Sequence, residues 1–256
     1  MQLGLENRRA VVAGASRGLG RAIALALAAE GARVTAVARN AEALQRLAAE
    51  SRGGHPIVPQ RCDLSQPEEI AGLERLLAEA DILVLNSGGP PPCSAAAATD
   101  DDWMRHFSGL FLAAVRLARL ALPGMRQRRH GRIIAIVSSG VLQPIPNLAL
   151  SNALRLAVVG WARTLAQEVA GEGITVNCLA PGRIDTERVA ELDAFDAKRQ
   201  GIDAAEVRRR SAASIPAGRY GEPSEFAALA TFLAGDQAGY MTGGVLRVDG
   251  GSIRGL

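Results

Sequence analysis

The sequence predicts an α/β fold built on a doubly wound parallel sheet of seven strands. Short apolar runs alternate with longer segments of helical period from one end of the chain to the other. Several of those runs are apolar without alternation, as strands covered on both faces must be. A glycine-rich turn also joins the first run directly to the first helical segment, the arrangement with which βαβ units begin.

Each element follows in order. The seven strands read as "RAVVAGA" (9–15), "ARVTAVA" (32–38), "HPIVPQRCD" (55–63), "DILVLNS" (81–87), "RIIAIVSS" (132–139), "ITVNCLAP" (174–181) and "GVLRVDG" (244–250). Helices are expected between them at 18–30, 40–50, 67–79, 101–128, 147–171 and 222–235. The segment 186–213, "TERVAELDAFDAKRQGIDAAEVRRRSAA", is charged, polar and helix-prone, and it interrupts the alternation before the last unit as a small helical flap. With no Pro/Ser-rich linker and no internal repeat, residues 1–256 read as a single domain.

Composition excludes several classes. The 256 residues are 48% hydrophobic, enough to bury one substantial core. A net charge of +3 spread along the chain does not imply nucleic acid. Cys62, Cys93 and Cys178 fall in neither a metal-ligand nor a disulfide pattern, which fits a reducing cytoplasm and no metal. "MQLGLENRR" lacks the apolar run of a signal peptide, and no stretch of about 18 uncharged apolar residues predicts a membrane span. The expectation is a soluble cytoplasmic protein.

The glycine turn carries the first chemistry. "AVVAGASRGLGRAIALALAAEGARV" sets Gly14, Gly18 and Gly20 after a strand and at the opening of a helix. Glycines let the backbone turn tightly against a pyrophosphate, and the helix N-terminus supplies free N–H groups and a favourable dipole. Strand, turn, helix and strand together predict a nucleotide site of Rossmann type. The second strand ends at Ala38-Arg39-Asn40 with no carboxylate to accept from an adenosine ribose and repel a 2′-phosphate. Arg39 and Arg17 offer two guanidiniums suited to a phosphate, so NADP(H) is expected rather than NAD(H).

The spacing is GxxxGxG, and with "CDL" (62–64), "NSGG" (86–89), "APGRIDT" (180–186), "IPAGRYGEP" (215–223) and "VDGG" (248–251) the chain resembles the short-chain dehydrogenase/reductase family over nearly its whole length. The resemblance implies that Asp63 and Leu64 border the adenine and that Ser16, beside Leu19, helps hold the phosphates. It implies that Asn86 and Gly88 line the cofactor bed and that Pro181, Gly182 and Ile184 face the nicotinamide. It further implies a homotetramer or homodimer, with helices 101–128 and 147–171 packing between subunits.

The family's chemistry uses a serine after the fifth strand, a YxxxK pair on the next helix and commonly an asparagine on the preceding one. Here Ser138 takes the serine place, Ser151 the tyrosine place, Arg155 the lysine place and Leu110 the asparagine place. No shift of register restores the pair, because Lys198 is the only lysine and the tyrosines are Tyr220 and Tyr240. A phenol titrates near pH ~10 and each unit of lowering is worth about 1.4 kcal/mol; an aliphatic hydroxyl is far less acidic, so Ser151 is a poor general acid. Arg155 can donate to a ribose and supply charge but does not readily exchange a proton. A water chain held by Ser138, Ser151 and Arg155 is the available substitute. The combination "PNLxLSNxxR", "GGPPP" and "PGRIDTER" resembles a divergent β-ketoacyl-acyl-carrier-protein-reductase-like subgroup.

Other residues carry two readings each. Cys93, in the proline loop 86–103, is a reactive thiol near bound substrate or a small packed or exposed residue. His106 is a replacement acid or a surface or packing histidine, and "MRQRRHGR" (125–132) is a dock for an acidic carrier protein or a solvated helix end. The function expected is NADP(H)-dependent carbonyl/alcohol oxidoreduction on small-molecule or acyl-thioester substrates. The alternative is an NADP(H)-binding sensor or assembly protein with little or no catalysis.

Overall fold

A computed structural model describes residues 2–255. The elements are β1 (Arg9–Ala13), α1 (Gly18–Ala29), β2 (Arg33–Ala38), α2 (Ala41–Glu50), β3 (Val58–Arg61), α3 (Pro67–Ala71), α4 (Glu74–Ala78) and β4 (Ile82–Leu85). They continue through α5 (Asp100–Phe107), α6 (Ala113–Arg128), β5 (Gly131–Ile136), α7 (Ala149–Val169), β6 (Ile174–Pro181), α8 (Glu187–Gln200), α9 (Ala204–Ser214), α10 (Pro223–Ala234) and β7 (Val245–Val248). All seven strands run parallel in the order β3-β2-β1-β4-β5-β6-β7. The order reverses between β1 and β4, and a crevice opens there beyond the carboxyl ends of the strands.

The apolar runs without alternation are explained by two covered faces. In β4, Ile82 and Val84 join the core formed with Ile23, Leu27, Phe226 and Leu233, while Leu83 and Leu85 join the opposite core with Leu117, Met125, Val158 and Leu165. All four β4 residues are fully or nearly fully buried.

Three elements differ from expectation. The third strand is only four residues long, because Pro59 cannot donate to a ladder and β3 lies at the sheet edge, paired with β2 alone. The helix expected over 67–79 breaks at Gly72-Leu73 into α3 and α4, where glycine is a poor helix former. The helix expected over 101–128 spans 100–128 and contains one π turn, Ser108–Leu112, between α5 and α6. That continuous helix is long and apolar enough to cross a membrane by length and composition, although it carries Arg116 and Arg119. In this fold Ala113, Ala114, Leu117, Ala118, Ala121 and Met125 bury its α6 face in the core.

The flap is the helical pair α8 and α9. A polar knot anchors it: Arg183 pairs with the buried Asp193, and Tyr220 Oη donates to Asp193 Oδ2 at 2.9 Å. Arg208 lies over the Tyr220 ring at 4.5 Å while pairing with Asp185.

Candidate active site

One open cleft of about 1280 Å³ occupies the crevice. The residues singled out in the sequence for cofactor or chemistry line it except Gly20, which lies beneath the turn, and Cys93. Gly14 and Gly18 have φ of +61° and +54°, values that favour glycine. A Cβ at Gly14 would sit 2.6 Å from Asn86 Nδ2 and 2.8 Å from Asn86 O, and one at Gly20 would overlap the Gly14 carbonyl. Asn86 in turn donates to Gly14 O at 3.1 Å, so the residue after β4 locks the turn after β1. No side chain caps the start of α1 and its first turn holds no acid, which leaves its orphan N–H groups facing the cleft.

At the far end of the cleft Asn40 is used by the fold, accepting from Ala43 N at 3.0 Å to cap α2. Arg39 is exposed and forms no ion pair among the described residues. Arg17 does form one, with Nη1 2.6 Å from Glu191 Oε1 on α8. Partial burial pushes the Asp63 carboxyl up, but hydrogen bonds from Ser65 and the guanidiniums of Arg39 and Arg61 outweigh it and hold the group below its ordinary range.

The other end brings Ser138, Ser151, Arg155 and Leu110 to one wall. Ser138, two residues beyond β5, accepts from Gly140 N at 3.0 Å and keeps its own hydroxyl proton free among the described residues. Ser151 is buried on α7 and its hydroxyl has no partner among the described residues. Arg155 is buried and donates through Nη1 to Ile136 O at 2.7 Å and through Nη2 to Ser87 O at 3.3 Å. It has no carboxylate partner among the described residues. Burial, and then the charge of Arg188, push its guanidinium down to about 10. Leu110 sits in the π turn, where such bulges commonly mark functional positions. With Leu117, Val158 and Arg155 it encloses an adjoining cavity of about 20 Å³.

Two straps fix the entrance. Asn152 donates to Ile145 O at 2.9 Å and accepts from Ile145 N at 3.3 Å, holding the loop before α7. The proline loop crosses to the start of α7, where Cys93 N donates to Asn147 O at 2.7 Å and Ala149 N donates to Cys93 O at 3.2 Å. Cys93 is therefore held by its backbone, and its half-buried side chain does not line the cleft. Cys62 and Cys178 are buried thiols pushed up to about 11 and about 12 by desolvation, which disfavours the thiolate.

Other candidates separate. His106 reaches the cleft edge half-buried, with desolvation and then Arg105 holding its imidazole below the ordinary value. Tyr220 belongs to the flap knot and Tyr240 is fully exposed, so neither takes the place of a phenol at Ser151. Within the basic run, Arg128 donates to Ala78 O and Ala80 O and Arg132 is buried against Gly235 O, while the exposed Arg129 donates to Gly171 O and the exposed Arg126 pairs with Glu172. Sequence reasoning missed Arg188 and Glu191. Arg188 donates to Pro90 O at 2.5 Å, tying the flap to the proline loop. Its only signal was its place at the end of "PGRIDTER".

Residues 14–252 match the family model described as enoyl-(acyl carrier protein) reductase. The chain is 36% identical over 255 residues to the 3-oxoacyl-acyl-carrier-protein reductase of Escherichia coli strain K12, covering 97% of this chain and 98% of the relative. Nodulation protein G of Rhizobium sp. strain N33 is 36% identical over 251 residues, covering 96% and 97%. Among solved structures, the L-sorbose reductase of Gluconobacter frateurii, complexed with NADPH and L-sorbose, superposes with a TM-score of 0.94 at 33% identity over 100% of both chains. An actinorhodin polyketide ketoreductase variant with NADPH gives a TM-score of 0.87 at 32% identity, covering 96% and 97%.

Proposed function

Because the chain belongs to the short-chain dehydrogenase/reductase family of oxidoreductases, we propose that it is an NADP(H)-dependent carbonyl/alcohol oxidoreductase acting on β-ketoacyl-like substrates, with protons delivered through water. One observation carries this reading: a single cleft joins the glycine turn and Arg39 at one end to Ser138, Ser151 and Arg155 at the other.

The residues present fit such a cofactor. The uncapped start of α1 suits a diphosphate, the close approach of Gly14, Gly20 and Asn86 leaves no room for side chains in the turn, and Arg39 forms no ion pair among the described residues. Bound NADP(H) would supply or accept the hydride. Ser138, with its proton free, orients and polarises the carbonyl. Arg155 contributes fixed positive charge to that wall and donates to the ribose with the hydrogens that Ile136 and Ser87 leave unused. Ser151 holds water rather than giving a proton itself. Each preorganised donor at a developing oxyanion is worth about 2.7–4 kcal/mol, and positioning can contribute about 7–11 kcal/mol more. The wall therefore retains substantial means of catalysis without a phenol. The relatives that reduce 3-oxoacyl groups support the substrate class. Exposed Met104 on α5 and Leu156 on α7 support assembly of subunits through those helices.

Ser151 also favours a second reading, cofactor binding without turnover, since no group at the wall has an acidity near neutrality. NADPH consumption with a carbonyl panel that includes β-ketoacyl thioesters separates the two, run on wild type and on the double variant Ser151→Tyr/Arg155→Lys. The oxidoreductase reading expects turnover by wild type, with little added by the double variant. A wild type that binds NADPH but stays silent while the variant gains activity establishes the second reading.

A further inference from the structure

Glu191 places its carboxylate between two guanidiniums. Oε1 lies 2.6 Å from Arg17 Nη1 in the glycine turn, and Oε2 lies 3.5 Å from Arg188 Nη1 on its own helix. The Arg17 pair links residues 174 positions apart and joins the flap to the nucleotide turn. The flap already rests there: a Cβ at Gly18 would lie 3.5 Å from the Thr186 side chain. Arg39, also lining the cleft, has no such ion pair among the described residues.

Glu191 occupies Arg17 Nη1, so a phosphate can take the end-on fork of both Nη groups only by displacing it. The hydrogen bond from Arg17 holds the Glu191 carboxyl below its ordinary range, and it stays ionised throughout the neutral range. The chain thus carries its own anion on one of the two arginines that would meet a cofactor phosphate.

We propose that Glu191 is a specificity-determining residue that competes with the 2′-phosphate of NADP(H) for Arg17. Arg17 exchanges one anion for the other on cofactor binding and releases α8 from the turn. The inference rests on the NADP(H) reading given above. Its consequence is a lower preference for NADP(H) over NAD(H) than two free arginines would give.

Equilibrium binding by calorimetry tests it, using NADPH, NADH and adenosine 2′,5′-bisphosphate against wild type, Glu191→Gln, and Glu191→Gln combined with Arg17→Ala. Glu191 is 46% exposed at its side chain and glutamine is isosteric, so the variant keeps the fold. An exposed ion pair is worth up to about 1 kcal/mol, which converts to about two- to fivefold in affinity. Glu191→Gln is expected to bind NADPH and the bisphosphate more tightly by that factor, leave NADH unchanged, and lose the gain when Arg17 is also removed. Unchanged or weaker NADPH binding overturns the exchange. An equal gain for NADH assigns the effect to the flap and overturns it as well. A wild type that binds NADH as tightly as NADPH overturns the cofactor reading, and this inference with it.

Discussion

Arg155 donates to the carbonyl oxygen of Ile136 at 2.7 Å, and that bond ties the middle of α7 to the end of β5. With the second bond to Ser87 O, the side chain joins the ends of two central strands to the helix carrying Ser151. The guanidinium is part of the frame of the site as well as its charge.

Replacing Arg155 by lysine tests that role while preserving charge. An ammonium on a shorter stem reaches one carbonyl and leaves the other buried acceptor unpaired. A hydrogen bond to a charged group is worth about 1.5–3 kcal/mol. Arg155→Lys is therefore expected to lose about that much in urea unfolding with an unchanged m-value. Undiminished stability would show that the two carbonyl bonds contribute nothing net.

Leu110 is the partner of this arrangement, since its side chain closes the cavity beside Arg155. Leu110→Asn puts an amide among Leu64, Leu85, Leu117 and Val158, in a cavity whose polar members are already engaged, Arg155 with Ser87 O and Asn86 with Gly14 O. An unpaired buried amide costs about 1–3 kcal/mol by protein mutational data. Because the two positions share the cavity, a double-mutant cycle with Arg155→Lys is expected to give a coupling of about 0.5 kcal/mol or more. Simple additivity would separate the two substitutions.

The flank of the flap has an acid dependence of its own. Arg219 donates to both oxygens of Glu225 at 2.7 Å, and the Glu222 backbone N–H adds a third bond at the start of α10. Those bonds, Arg219 first, push the Glu225 carboxyl down to about 2 from an ordinary 4.5. The folded state thus favours the ionised form. Its contribution is complete above pH 4.5 and is lost as pH falls towards 2. Thermal unfolding of Glu225→Gln should therefore lie closest to wild type at the acid end and fall increasingly below it as pH rises to 4.5. Parallel profiles for the two proteins would refute this assignment.

The sequence by itself determined the fold class, because burial on both faces writes an unbroken apolar run into each central strand, as in "DILVL". It determined the break at Gly72 in principle, although the apolar periodicity of 67–79 hid it. It also determined that positions 151 and 155 hold no phenol and no amine, which is a matter of residue identity alone. Tertiary structure decided what those residues touch. Local patterns encode period and turn, whereas partners such as Arg17 and Glu191, or Arg155 and Ser87, meet only when strands, helices and flap are packed together. Whether an arginine is free for a ligand or already holds an anion is therefore settled by packing, and this is why Arg39 and Arg17, equivalent in the sequence, differ in the fold.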